Sequence, residues 1–123
     1  MPKAKRDPRR EERIASEIIV DAYGPEEQAM RWYYYLEGKL LFPFGARCIS
    51  KRAISPLNTD DEVEIVGMAP EDECQHEMFV KMRYERRTLA IPLSQIAPVA
   101  GTEKKMREAI EDWHYWIGQG YEF

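Results

Sequence analysis

Residues 53–80 contain no lysine or arginine, and the whole chain has only two cysteines, two histidines and no apolar run of bilayer length. Two cysteines, Cys48 and Cys74, cannot build the disulfide framework of a small secreted domain, so a reducing, cytoplasmic setting is expected. Without about 20 consecutive apolar residues, no segment is expected to span a membrane. The N-terminal stretch is basic and carries Pro2 and Pro8 but no apolar centre, so it does not read as a signal peptide. A glycine-rich phosphate loop is missing, and so is the EF-hand loop with its alternating oxygen ligands and closing glutamate. At 123 residues the chain has room for one domain, which excludes two-domain enzyme architectures. Its 44% hydrophobic content can still bury a real core, which confines expected disorder to the ends. The net charge of -4 argues against a generic nucleic-acid coat, and no clear nucleic-acid partner is expected.

Residues 1–13 read as a flexible basic arm. Lys3, Lys5, Arg6, Arg9, Arg10 and Arg13 could touch phosphate, but Asp7, Glu11 and Glu12 interrupt them, and a solubilising tail is the plainer reading. A helical pattern begins near Arg9, with Ile14, Ile18 and Ala22 on one face, and Gly24 stops it. Pro25 fits the first position of a second helix, with Glu26 and Glu27 in its first turn, where the helix dipole favours them. Ala29, Tyr33, Leu36 and Leu40 then form a core-facing stripe. The opening is expected to be a helical hairpin. Trp32, Tyr33, Tyr34 and Tyr35 stand in a row within it, so these rings must point to several sides at once.

From Phe42 the period changes to two. Strands are expected at 46–51, 62–68, 77–84 and 88–93, separated by proline, asparagine or acidic clusters, and Ile91 to Ile96 reads as a strand broken by one tight turn and resumed. Short strands so spaced predict a small antiparallel, SH3-like β-barrel. Thr102 is a candidate N-cap for a closing helix, with Met106, Ile110, Trp113 and Ile117 as its apolar stripe. The fold class is therefore α+β.

Asp60, Asp61, Glu62, Glu64, Glu71, Asp72, Glu73 and Glu77 all fall in the window without cations. Crowded carboxylates repel one another, and solvent, salt or a divalent cation can screen them. Calcium suits such loops because it takes six to eight oxygen ligands and tolerates irregular geometry. A solvated acidic face is the bland alternative. Asp60 and Asp61 precede the strand that Glu71, Asp72 and Glu73 follow, and seven residues at roughly 3.3 Å each hold the groups about 20 Å apart, too far to share an ion. If consecutive strands pair as hairpins, Glu37, at the end of the second helix, joins Glu71, Asp72 and Glu73. Asp60, Asp61 and Glu62 then lie near Arg86 and Arg87, which could neutralise them. Cys48, Cys74, His76 and His114 could be imagined as a zinc set but lack paired ligand spacing, and a buried thiol and a half-exposed imidazole are simpler. His114, among Glu111, Asp112, Trp113 and Trp116, could act as a base, yet no nucleophile is identifiable, and no enzymatic activity is expected.

Several strings resemble the small calcium-binding CcbP family, first described from cyanobacteria. They are Ile18-Ile19-Val20-Asp21-Ala22-Tyr23, Ala29-Met30-Arg31-Trp32-Tyr33-Tyr34-Tyr35-Leu36-Glu37, Phe42-Pro43-Phe44, Met68-Ala69-Pro70-Glu71-Asp72-Glu73-Cys74, Ile91-Pro92-Leu93-Ser94-Gln95 and Glu111-Asp112-Trp113-His114-Tyr115-Trp116. The resemblance implies binding of Ca2+ without an EF-hand, for buffering or sensing the ion in the cytosol, with Glu37, Glu71, Asp72 and Glu73 as ligands. Asp60 and Asp61 complete the candidate metal set from the charge argument. Where the family pattern often has a carboxylate, this chain has Gly38, which weakens the implied site. The expected organisation is a basic arm at 1–13 and one domain over 14–123, made of helices at 14–41, a barrel at 42–99 and a helix at 102–118. The rival is an interaction module, in which the barrel and the exposed aromatics hold a protein or nucleic-acid partner.

Overall fold

Asp7 starts the first helix, because its Oδ1 accepts hydrogen bonds from the backbone N–H groups of Arg9 and Arg10 while Pro8 takes the first helical position. The computed structural model describes residues 5–123, so Lys3 of the expected arm lies outside the described residues. Helix α1 (Pro8–Arg13) continues as one π-helical segment, Ile14–Ile18, which ends before the expected Gly24 stop. Ile14 and Ile18 are buried as their spacing requires, whereas Ala22 follows the helix and is half-buried. Helix α2 (Pro25–Lys39) begins at Pro25 and buries Ala29, Trp32, Tyr33 and Leu36. Helix α3 (Lys104–Gly118) is capped by Glu103 rather than Thr102. The Glu103 carboxylate accepts from the N–H groups of Lys105 and Met106, while the Thr102 hydroxyl donates to the carbonyl of Val99 at 2.7 Å.

The strands are β1 (Phe44–Cys48), β2 (Glu62–Met68), β3 (Phe79–Tyr84), β4 (Arg87–Pro92) and β5 (Ile96–Pro98). They form one antiparallel sheet in the order β4-β3-β2-β1-β5, with a 3-10 turn, Leu93–Gln95, at the expected break between β4 and β5. β5 crosses over to pair with β1, Cys48 opposite Ile96. No ladder joins β4 to β5, so the expected SH3-like barrel is corrected to an open five-stranded sheet. β5 has only three residues, and Pro98 has no N–H to donate, which leaves too few donors for a closing ladder.

The core lies between this sheet and α2 and α3. Trp32 of α2 is fully buried and meets Trp113 of α3 edge-on, ring centroids 5.0 Å apart; Trp116 lies 5.6 Å from Trp32, and Phe123 stacks on Trp113. Such pairs add about 0.5–1.5 kcal/mol each beyond the apolar area they bury. The row of aromatics divides as required: Trp32 and Tyr33 face the core, Tyr35 is half-buried, and Tyr34 is 49% exposed.

A second anchor is polar. Asp112 of α3 is completely buried, its Oδ1 accepting from Arg10 Nη1 at 2.7 Å and from Arg13 Nη2 at 2.6 Å, and its Oδ2 accepting from Arg13 Nε at 3.0 Å. The hydrogen bonds to this carboxylate raise the pKa of Arg13, which stays charged. The residues that sequence alone presents as a solubilising tail therefore pin α1 to α3. Tyr115 reinforces the contact by donating to Glu11 Oε1 and accepting from the N–H of Asp7, both at 3.0 Å.

Candidate functional site

The β2 strand ends at Met68, paired with Val80, and the chain then turns through a 3-10 segment, Glu71–Cys74, before β3. α2 packs against that segment. Two consecutive tyrosines of α2 hold it. Tyr33 donates its hydroxyl proton to the carbonyl of Ala69 at 2.7 Å, and Tyr34 donates to Glu71 Oε1 at 2.8 Å. Burial, reinforced by the negative charge of Glu37 and Glu71, pushes Tyr33 up to about 12. For Tyr34 the leading cause of a raised pKa is the hydrogen bond to Glu71, with the charges of Glu71 and Glu37 acting in the same sense. Glu37 of the helix and Glu71 of the turn thus bear on the same pair of tyrosines, at one end of the sheet.

Glu37, Glu71, Asp72 and Glu73 are all exposed, and among the described residues the Glu71 carboxylate accepts a side-chain hydrogen bond, from Tyr34. Burial raises the Cys74 thiol, which keeps it protonated; it accepts from the N–H of Phe79 at 3.3 Å and plays a packing part. Asp60 and Asp61 sit at the opposite end of β2. The expected neutralising partners were Arg86 and Arg87, but Asp60 binds Arg47 Nη1 at 2.9 Å, and Asp61 Oδ2 accepts from the N–H of Asn58 at 2.8 Å. β1 brings Arg47 there by pairing it with Glu62. Glu64 binds Arg83, and Glu77 binds Arg52 at 2.7 Å, so part of the acidity that is unpaired along the chain finds cations across the sheet.

Among the described residues, no group of three or more histidine, cysteine, aspartate or glutamate side chains is gathered closely enough to hold a metal ion. The imagined zinc set is therefore not assembled: Cys48 donates to the carbonyl of Ser50, Cys74 lies in the 3-10 turn, and His114 is on α3. The oxygen donors of the Glu37 and 71–73 group match the chemistry calcium requires, but they are not preset. An ion there must draw exposed side chains together.

His114, the candidate base, faces inward. Its Nε2 lies 3.2 Å from the carbonyl of Leu93, which can only accept, so Nε2 carries the proton in this pairing. Burial lowers its pKa from the ordinary histidine value of 6.5, against the opposing effect of the hydrogen bonds to Leu93 and Ile96. The unfolded chain therefore binds a proton that the folded one refuses, and His114 lowers stability as pH falls below 6.5 towards its depressed folded value. His114→Gln, which keeps an N–H donor, should flatten the fall in urea midpoint between pH 7 and pH 5.5; an unchanged slope would show that His114 charges freely in the fold.

The Tyr34–Glu71 bond and the Arg10–Asp112–Arg13 cluster both escape sequence reading. A carboxylate at 112, three residues after buried Ala109 and four before buried Trp116, is the signal that could have revealed the second, because a charge in a core-facing stripe needs a partner.

Among the described residues, no helix is long and apolar enough to cross a membrane. The model of the calcium-binding family Calci_bind_CcbP matches residues 12–117. The crystal structure of Anabaena CcbP is 41% identical, covers 100% of both chains and superposes with a TM-score of 0.87. A second solved structure, of a calcium-binding protein in the calcium-binding form, is 42% identical over 96% of each chain, with a TM-score of 0.82. No curated protein matches.

Proposed function

The chain belongs to the CcbP family of calcium-binding proteins, and from that premise we propose that it binds Ca2+ without an EF-hand, at Glu37, Glu71, Asp72 and Glu73, as a non-enzymatic buffer or sensor of the cytosolic ion. The observation that carries this reading is the hydrogen bond from Tyr34 to Glu71, which fastens the acidic turn to the helix that ends beside Glu37. Calcium supplies the charge that lets these carboxylates converge. Each acts as an ionised oxygen donor, so protons compete with the ion for the site. Asp60 and Asp61 are the secondary candidates, since Arg47 and the backbone of Asn58 already engage them.

Exposed, unassembled ligands predict a modest affinity, with Kd on the order of 10⁻⁵–10⁻⁴ M rather than that of a rigid site. Isothermal titration of chelator-treated protein should give a saturable heat and a rise in Tm with calcium. Neither heat nor stabilisation at millimolar calcium would reject the proposal.

Gly38 offers a sharper version of the same test. It lies one helical turn beyond Tyr34, and a Cβ there would meet nothing within 4 Å. Gly38→Asp places a carboxylate beside Glu37 and should tighten calcium binding about tenfold by adding a charged ligand. Gly38→Ala is the control. It should raise stability by up to about 1 kcal/mol by removing helical glycine, while leaving the titration unchanged. Equal effects of the two variants on calcium affinity would place position 38 outside the site.

A further inference from the structure

A groove of about 360 Å³ runs between α2 and the 3-10 turn, with Ala29, Met30 and Tyr33 along its apolar wall and Glu26, Glu71 and Asp72 among its other lining residues. Met30 is 49% exposed there, and among the described residues no lysine or arginine lines the groove. The reason lies in the sequence. The turn wall comes from 53–80, which contains no lysine or arginine, and the helical wall is built by Glu26, Ala29, Met30 and Tyr33, with Arg31 outside the lining. An apolar slot bordered by three carboxylates with no cation of its own is complementary to an apolar side chain flanked by positive ones.

We propose that this groove docks a basic peptide segment, with one large apolar side chain against Met30 and Tyr33 and neighbouring lysine or arginine side chains paired with Glu26, Glu71 and Asp72. The volume suits a side-chain anchor, being at the low end of ligand-sized pockets, of roughly 300–1,000 Å³. Docking does not need calcium. Its regulation rests on the ligand set proposed above: because Glu71 and Asp72 serve both, calcium and the peptide oppose each other, and by linkage each weakens the other by the same factor.

The test is fluorescence anisotropy in EGTA with a labelled peptide of about a dozen residues, carrying leucine and phenylalanine between lysines and arginines. Saturable binding is expected, weakening as salt rises. Met30→Asp is decisive, because it adds a negative charge to an exposed position. Groove docking predicts a loss of at least about tenfold through the ruined anchor, whereas diffuse attraction to an acidic surface predicts tighter binding. No saturable binding, or binding unchanged or strengthened in Met30→Asp, overturns the proposal. A dimer of the free protein that Met30→Asp dissolves also overturns it, by giving the groove to a second copy of the chain. Peptide binding that needs Met30 but resists saturating calcium supports the groove and removes Glu71 and Asp72 from the calcium ligands.

Discussion

Replacing both Arg10 and Arg13 with methionine lowers the free energy of unfolding by about 3–5 kcal/mol, because it strands a buried carboxylate with no cation. Methionine preserves much of the aliphatic volume, so lost packing is a minor part of the effect. The opposite deletion costs less. In Asp112→Ala the two guanidiniums, each with its side chain 24% exposed, can turn towards water, and the expected loss is about 2 kcal/mol, that of charge-assisted hydrogen bonds. Urea denaturation of the two variants and the parent protein measures the difference. Equal losses, or a larger one for Asp112→Ala, would mean that Asp112 is already hydrated in the fold. Each single arginine variant should lie well short of the double one, because either guanidinium alone still pairs with the carboxylate. These groups couple strongly, so the single losses should not add to the double loss.

The second large effect concerns the ion. Asp72→Asn is expected to weaken calcium binding by at least about tenfold, since calcium sites are tuned by the number of charged ligands. Asp60→Asn should leave the affinity within about twofold. Asp60 has φ 76°, a left-handed conformation that asparagine adopts as readily as aspartate, so that variant keeps its backbone. It loses only the exposed pair with Arg47, worth about 0–1 kcal/mol of stability. Titration of both variants decides the matter. The reverse order of effects would move the site to the other end of β2.

Much of the helical architecture was legible because burial imposes a period. Ala29, Tyr33, Leu36 and Leu40 are all buried, and so are Met106, Ile110 and Trp113. β2 runs over Glu62–Met68 as expected, whereas β1 lies at Phe44–Cys48 instead of 46–51. The alternating period marks that a strand exists more sharply than where it ends. Barrel closure was not legible, because β4 and β5 are only three residues apart along the chain and yet the turn at Leu93–Gln95 sends β5 to pair with β1, a strand distant in sequence. The cations that take up Asp60, Glu64 and Glu77 were hidden for the same reason: Arg47, Arg83 and Arg52 reach them through strand pairing and loop folding, not along the chain.

Residue order by itself determined the alternation of helix, strand and helix, the aromatic strings that carry the family likeness, and the acid-rich window without cations. These are local properties of periodicity, composition and spacing. Only the tertiary structure decided that the sheet stays open, that a basic stretch near the start clamps a buried aspartate on the last helix, and that Tyr34 ties Glu71 to the helix bearing Glu37. Those outcomes depend on which distant surfaces meet, and the side chains that join them contribute free energy only once packing has removed the water between them.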